Sequence, residues 1–505
     1  MYAQKKIRKI LIANRGEIVS RINFSCQKND IQTISIYSQE DQYMPYIFAT
    51  NQNHKLSLCG NSAYLNQEEI INIALKTKAD AIHPGYGFLS ENSQFAQMVV
   101  DANLIWIGPD PETIKLMGNK SNARETMKKS NIPIIPGLHF LRSEKNKAKK
   151  YAQKIGYPII LKDPLGGGGK AIKKIGTPEE FEYSFDSIFE QTQKMTQSNF
   201  ILIEKHIKNG RHIEIQIAGD GKNYIHLHER ECSIQRRHQK IIEEAPCNFL
   251  NKKILAKMYE TALIAAKAVK YKNIGTVEFI VTQNQDFYFL EMNTRLQVEH
   301  SVTEFTTNVD LVDLQIHIAQ KNMLPLKQKD IKQKNHAIEC RIYSEDPQNN
   351  FLPTTGTINN LQFPEIFFLR HDHNLEINQE ITSFFDPMIS KLTCWGKNRK
   401  EAIKNMLIAL SKFKIDGIKN NIDFLKSILK TKEFYKGKIH TQILKDLKYY
   451  NKVIAQQNTN MNNDDNFENQ IAIIAAHLFS EQKSKHQKFL FQEKHTYHWR
   501  KQRWK

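Results

Sequence analysis

Short apolar runs alternate with amphipathic stretches over the first hundred residues. Ile10-Leu11-Ile12-Ala13 predicts a buried strand, and Gly16-Glu17 opens an amphipathic helix that runs to about Cys26. Residues 33–37 predict a second strand, and 80–82 and 104–107 two more, with a helical stretch around 68–76 before the first of these. Strands separated by helical patterns predict a parallel sheet, so residues 1–116 are expected to form an α/β domain. Its nearest approach to a dinucleotide loop is Gly85-Tyr86-Gly87-Phe88-Leu89-Ser90, which lacks the last glycine of GxGxxG. From 117 to 335 the pattern becomes α+β, with β-rich runs at 159–161, 213–217, 276–281 and 287–291. A third domain is expected over 336–450. Residues 456–466 form an Asn/Gln/Asp stretch of linker type, followed by a short helical pattern at 471–480 and a Lys/His-rich end. The span 451–505 is therefore expected to be a linker and a short basic tail.

The length of 505 residues fits about three domains. The longest apolar stretch, 471–479, is broken by His477 and is too short to cross a bilayer. The basic opening at 5–9 leads into an apolar part that stops at Asn14-Arg15, too brief for a secretory signal. Six scattered cysteines make no CxxC pair, and a cytoplasmic location without membrane partners is expected. The formal charge of +19 favours anionic partners in general. The excess is spread along the chain and no nucleic-acid-binding motif accompanies it, so no nucleic-acid partner is expected.

The densest chemistry lies in Glu291-Met292-Asn293-Thr294-Arg295-Leu296-Gln297-Val298-Glu299. Read as one extended strand, it sets Glu291, Asn293, Arg295, Gln297 and Glu299 on one face. Glu278 falls in what reads as a neighbouring strand. Hard divalent cations want oxygen ligands, and Glu278, Glu291 and Asn293 fit that need. An arginine and a second carboxylate further along could hold and deprotonate a small anion. A half-exposed strand showing polar groups to water is the alternative. Lys162 and the run Gly166-Gly167-Gly168-Gly169-Lys170 suit close backbone approach to phosphates, or form a plain flexible loop. This is not a Walker A loop, because Pro164 and Ala171 stand at its required positions. Residues 229–240 gather Arg236, Arg237, His238 and Lys240, which suit polyphosphate and bicarbonate or a solvated surface. Cys232 reads as a small buried filler and His212, taken singly, as a structural histidine. Arg341, on a face shared with Glu339 and Tyr343, could stabilise an oxyanion or form an ordinary ion pair.

Four longer runs resemble biotin carboxylase, the ATP-grasp component of the biotin-dependent acyl-CoA and pyruvate carboxylases. They are 12–18 (IANRGEI), 83–92 (HPGYGFLSEN), 236–246 (RRHQK through EEAP) and 291–300. Phe385-Asp386-Pro387-Met388-Ile389-Ser390-Lys391 and 436–441 resemble the α chains of propionyl- and methylcrotonyl-CoA carboxylases most. The resemblance spans about 5–445. It implies a parallel-sheet N-terminal domain, an ATP-grasp central domain with a mobile lid over about 135–205, and a biotin carboxylase C-terminal domain. It implies ATP-dependent carboxylation of biotin by bicarbonate, with ATP, magnesium (or manganese) and biotin on a carrier protein.

Carried over by position, Lys120, Lys162, His212, Gln235 and His238 contact ATP, Glu204, Lys205, His206 and Ile207 line the adenine pocket, and Gly166, Gly167, Gly168 and Gly169 cover the phosphates. Glu278, Glu291 and Asn293 hold the metal. Glu299 is the base, Arg295, Gln297, Val298 (through its backbone) and Lys240 bind bicarbonate, and Arg341 stabilises enolate-like biotin. Implied partners are a biotin carboxyl carrier protein in trans, a carboxyltransferase subunit, and a second copy of the chain or a larger carboxylase complex. The chain departs from the family's pattern at Asn119, at Lys170-Ala171-Ile172-Lys173, at Ser301 and at Asn308. An impaired or non-catalytic subunit acting as a binding partner is the alternative function.

Overall fold

The computed structural model of the chain describes residues 6–163, 172–196 and 198–445. The tail expected over 451–505 and the run Gly166 to Gly169 lie outside the described residues. β1 (Lys9–Ile12), β2 (Gln32–Tyr37), β3 (Gln52–Lys55), β4 (Ala81–His83) and β5 (Ile105–Trp106) form a parallel sheet in the order β3-β2-β1-β4-β5. Ile10, Leu11 and Ile12 are wholly buried, as a parallel strand covered on both faces requires. β3 escapes the apolar pattern because it is a polar, largely exposed edge strand. The helix Glu17–Lys28 buries Ile18, Val19 and Ile22 against this sheet. Asn14 ties β1 to the turn after β4, its Nδ2 donating to the carbonyls of Pro84 at 2.7 Å and Tyr86 at 2.8 Å. Gly85 has φ +63°, and a Cβ there would come within 2.9 Å of that same Nδ2, so both φ and space call for glycine.

Many helices start on an asparagine. Asn66, Asn92, Asn119, Asn251 and Asn398 each accept a backbone N–H of the first turn, worth about 1 kcal/mol apiece. Asn119, one of the departures, thus caps the helix that begins at Lys120.

β6 (Gly137–Leu141), β7 (Ile159–Lys162), β8 (Ile172–Ile175) and β9 (Phe200–Lys205) make a separate antiparallel sheet in the order β6-β9-β7-β8. Its own apolar core includes Phe140, Phe181, Phe185, Phe189 and Ile203.

The largest sheet is antiparallel. It comprises β10 (Arg211–Asp220), β11 (Tyr224–Arg236), β12 (Gln239–Ala245), β13 (Lys272–Val281), β14 (Phe287–Asn293) and β15 (His336–Tyr343), with the strands Leu369–His373 and Met388–Gly396. The order is β14-β13-β10-β11-β12-β15, then Met388–Gly396, then Leu369–His373. Position 336, where the sequence changes pattern, falls inside this sheet, because β12 pairs with β15 and sets Glu243 opposite Glu339.

One expectation is corrected here. The run 291–299 is not a single strand: β14 ends at Asn293, and the chain bends through 294–299 before the helix His300–Thr307. Arg295, Gln297 and Glu299 therefore do not follow Glu291 and Asn293 along a pleat. Tertiary contacts replace the alternation. Among the described residues no helix is long and apolar enough to cross a membrane.

Candidate active site

Strand register builds the site's first row. Arg230 on β11 lies opposite Glu214 on β10, Glu214 opposite Glu278 on β13, and Glu278 opposite Glu291 on β14. Three carboxylates on adjacent strands repel one another, and a sheet holds such a row only when cations are interleaved. Arg230 Nε lies 2.5 Å from Glu214 Oε1. His212 Nε2 lies 2.7 Å from Glu278 Oε2. Lys240, entering from β12, donates to Glu214 Oε2 at 2.5 Å, Glu278 Oε1 at 2.7 Å and Glu299 Oε1 at 2.7 Å. One ammonium thus clasps three carboxylates. Burial opposes the Lys240 charge, yet Glu214, Glu278 and Glu299 prevail and raise its pKa well above the ordinary lysine value.

Glu299 immediately precedes the helix His300–Thr307, makes no side-chain capping bond to it, and is fully buried. Its second oxygen accepts from Arg341 Nη2 at 2.9 Å, while Arg341 Nε donates to Glu243 Oε1 at 2.6 Å. Burial alone would raise the Glu299 carboxyl, but Lys240, Arg341 and Arg230 hold it well below the usual carboxylate range. An ionised carboxylate ready to accept a proton results. Glu299 has no open surface of its own. Lys240, Arg295 and Arg341 keep 13, 19 and 10 % of their side chains in solvent, so a small anion meets these cations first.

Arg295 Nε donates to Glu91 Oε2 at 2.8 Å, and its Nη1 to Gln297 Oε1 at 3.1 Å. Gln297 Nε2 is 3.3 Å from Glu278 Oε1. The bent segment thereby returns Arg295 and Gln297 to the carboxylate row. The Val298 carbonyl is taken by Lys391, which leaves its N–H as the backbone group suited to an anion.

Cys232 is buried as expected, but a carboxylate does stand beside it: Glu299 Oε1 is 4.0 Å from its Sγ. Burial and then Glu214 push the thiol well above its ordinary value, so it stays protonated and no nucleophile.

The residues expected to contact ATP fall into two groups. His212 and Gln235 belong to the charged row, with Gln235 Nε2 2.7 Å from His212 Nδ1. Lys120 begins its helix near Glu291, whose charge it favours. His238, with φ +66°, sits in the exposed turn between β11 and β12. Lys162, Glu204 and Lys205 lie on the small sheet and half-buried Ile207 just beyond it. Glu204 pairs there with Lys162 and, at 2.5 Å, with Arg124, while Lys205 Nζ donates to the Gly156 carbonyl at 2.7 Å. Gly166, Gly167, Gly168 and Gly169 lie outside the described residues.

The donors Glu278, Glu291 and Asn293 fit a hard divalent cation. Glu278 and Glu291 face each other across the β13–β14 ladder, and Asn293 Nδ2 is 2.7 Å from Glu278 Oε1. Burial and the charge of Glu278 raise the Glu291 pKa, and Lys120 only partly offsets them. A buried and a half-buried carboxylate that repel each other, with an amide beside them, are the oxygen set that such an ion relieves.

Glu214, Arg230, Glu91, Glu243 and Lys391 complete the constellation and were not singled out from sequence. Glu91, Glu243 and Lys391 stand inside runs that carry the resemblance. Glu214 shares a strand face with His212, and Arg230 is the only one of the five marked by nothing but its place in a charged run.

Three family models match the chain: the biotin carboxylase N-terminal domain over residues 6–114, the ATP-binding domain of the carbamoyl-phosphate synthase L chain over 119–327, and the biotin carboxylase C-terminal domain over 339–446. Biotin carboxylase 2 of Bacillus subtilis is 44 % identical over 442 residues, which cover 86 % of this chain and 99 % of that protein. The chain belongs to the biotin carboxylase family. Within that family, the α subunit of mouse mitochondrial methylcrotonoyl-CoA carboxylase is 40 % identical over 458 residues. The match covers 89 % of this chain but only 64 % of that subunit. Among solved structures, the biotin carboxylase domain dimer of Hydrogenobacter thermophilus 2-oxoglutarate carboxylase, in complex with MgADP, ADP and bicarbonate, superposes with a TM-score of 0.84 at 39 % identity. It covers 88 % of this chain and 99 % of that one. The biotin carboxylase–β-γ-ATP complex from Campylobacter jejuni gives 0.83 at 39 % identity, covering 87 % of this chain and 98 % of that one.

Proposed function

We propose that this protein carboxylates carrier-bound biotin with bicarbonate at the expense of ATP, as the first half-reaction of an acyl-CoA carboxylase. The observation that carries the reading is the buried Glu299 carboxylate held between Lys240 and Arg341. Arg295, Lys240, Gln297 and the Val298 N–H bind bicarbonate, and Glu299 takes its proton. The bicarbonate oxygen then attacks the γ-phosphorus of ATP, releasing ADP and forming carboxyphosphate. Lys120, Lys162, His212, Gln235 and His238 hold the polyphosphate, and residues 204–207 receive the adenine. Glu278, Glu291 and Asn293 would hold a magnesium ion, which would supply positive charge for the phosphate oxygens. Carboxyphosphate breaks to carbon dioxide and phosphate; phosphate removes the ureido proton of biotin, and Arg341 stabilises the resulting anion as it attacks carbon dioxide.

Domain limits near 116 and 335 belong to the same reading, supported by the spans of the three family models, as does a lid over 135–205, supported by the separate sheet β6-β9-β7-β8. So do a carrier in trans, a carboxyltransferase partner and a second copy of the chain, the last supported by the dimer of the Hydrogenobacter domain. Six free cysteines, five of them buried, support a reducing cytoplasmic setting.

The test is bicarbonate-dependent ADP release with free biotin as acceptor. Glu299→Gln is expected to lower it roughly 10²–10⁴-fold, the usual contribution of a general base. Wild-type turnover in that variant would remove Glu299 from the chemistry. Absence of any such activity in a folded, ATP-binding wild-type protein would favour the non-catalytic subunit.

A further inference from the structure

A second buried cation touches the segment that carries the base. Lys391 lies on the strand Met388–Gly396, opposite Arg341 on one side and Asp372 on the other. It is 1 % exposed. Its ammonium donates to the Val298 carbonyl and stands 3.6 Å from Asp372 Oδ2 and 3.9 Å from Glu339 Oε2. The preceding carbonyl, Gln297 O, is held separately by the His300 N–H at 3.3 Å and lies 2.9 Å from His300 Nδ1. Glu339 Oε2 also accepts from Ser301 Oγ and, at 2.9 Å, from Thr393 Oγ1, while Glu339 Oε1 is buried without a hydrogen-bond partner. Desolvating an ammonium costs several kcal/mol that an apolar side chain of similar length would not incur. Its closest contact is with a main-chain carbonyl rather than with either carboxylate.

The Val298 carbonyl belongs to the peptide unit that leads into Glu299. Fixing that plane fixes where the Glu299 side chain leaves the backbone, at the point where the chain turns from the bent segment into the helix. We infer that Lys391 is a positioning residue for the base: through the Val298 carbonyl it keeps the Glu299 carboxylate seated between Lys240 and Arg341. The inference rests on the proposed role of Glu299. It also gives Ser301 a part, because the hydroxyl at this departure from the family pattern donates to Glu339 Oε2, the oxygen that competes with the carbonyl for the ammonium.

The competing role for Lys391 is charge balance for Glu339 and Asp372, and a compensated variant separates the two. Lys391→Met, Glu339→Gln and the double variant K391M/E339Q are compared in the full-length protein by thermal unfolding and by steady-state kinetics. E339Q alone is expected to keep wild-type turnover. The double variant is expected to recover most of the stability that K391M loses. It should nevertheless show bicarbonate-dependent ADP release roughly 10- to 100-fold slower, with a raised KM for bicarbonate and an unchanged KM for MgATP, as for an ångström-scale displacement of a reacting group. Wild-type kcat in the double variant, or failure of both K391M variants to fold, would make Lys391 a structural residue and overturn the assignment. Glu299→Gln is run in parallel: wild-type turnover there would mean that the base itself is misassigned, whatever the Lys391 variants do.

Discussion

The small sheet β6-β9-β7-β8 and the central sheet both contain many ion pairs, but, apart from buried Glu204 with Lys162 and Arg124, they put them in opposite places. In the small sheet the core is apolar, and pairs such as Lys145–Asp186 and Arg142–Glu190 lie at its surface with 30–59 % of each side chain in solvent. In the central sheet Lys240, Glu214, Glu278 and Glu299 are 0–13 % exposed. Exposed pairs contribute about 0–1 kcal/mol. Buried charges cost several kcal/mol each to desolvate, and their mutual attraction rarely returns more than that. The small sheet is thus stabilised by its phenylalanines. The central cluster is costly to hold, with stability depending on every partner being present.

The largest effect that would sharpen this contrast is expected at Lys240. Lys240→Met strands three buried carboxylates, which should lower stability by about 3–5 kcal/mol and abolish bicarbonate-dependent turnover. Denaturant unfolding and the ADP-release assay check both. Full stability without activity would mean that the carboxylates relax apart at little cost. The counterpart in the small sheet is Phe185, fully buried with ring centroids 5.3 Å from Phe181 and 6.4 Å from Phe189. Phe185→Ala should cost about 3–5 kcal/mol, and hydrogen exchange should localise the loss to 137–205. A loss spread evenly over the central sheet would mean that the two cores unfold as one.

A buried pair away from the chemistry tests the same point through pH. Glu244 is 4 % exposed, accepting from Arg399 Nε at 2.6 Å and lying 2.8 Å from His336 Nε2. Burial alone would raise it, but Arg399 and then His336 bring its pKa from 4.5 down to about 2. A depressed folded-state value means stability present above pH 4.5 and lost as pH falls toward 2. The linkage is worth about 3 kcal/mol. Glu244→Gln should therefore be less stable than wild type by about that amount at pH 7, with the gap closing between pH 4.5 and 2. A gap independent of pH would assign the loss to packing.

The parallel sheet was legible because its buried strands are short apolar runs between amphipathic helices. β3 was not, since the residues 52–55 face solvent and owe their extended shape to β2 alone. The site was legible as an inventory but not as a geometry. Alternation predicted one straight face from Glu291 to Glu299, whereas β14 stops at Asn293. Lys240 reaches Glu214, Glu278 and Glu299 from β12, and Arg341 reaches Glu299 from β15, at separations in sequence that no local pattern encodes. Arg230 illustrates the limit: a fully buried arginine holding Glu214 reads in the sequence like any member of a charged stretch. Asn308 went the other way, since its left-handed φ of 57° after the helix His300–Thr307 explains why asparagine replaces glycine there.

The smallest expected effect lies at Lys149 and Glu182, paired between the two helices Lys145–Ile155 and Pro178–Thr196 that pack on the small sheet, with 38 and 40 % of their side chains exposed. Lys149→Ala should change stability by less than about 0.5 kcal/mol, because solvent screens the pair and both long side chains lose rotamer freedom when they meet. The single variant is a weak test, since any surface lysine gives that result. A double-mutant cycle with Glu182→Ala isolates the pair, and a second cycle crossing Lys240→Met with Glu299→Gln isolates its buried counterpart. The exposed coupling should be below about 0.5 kcal/mol and fade with added salt. The buried coupling should be several-fold larger and nearly insensitive to salt. Equal couplings would mean that exposure is not what divides the two regions, and that the central charges are ordinary structural pairs after all.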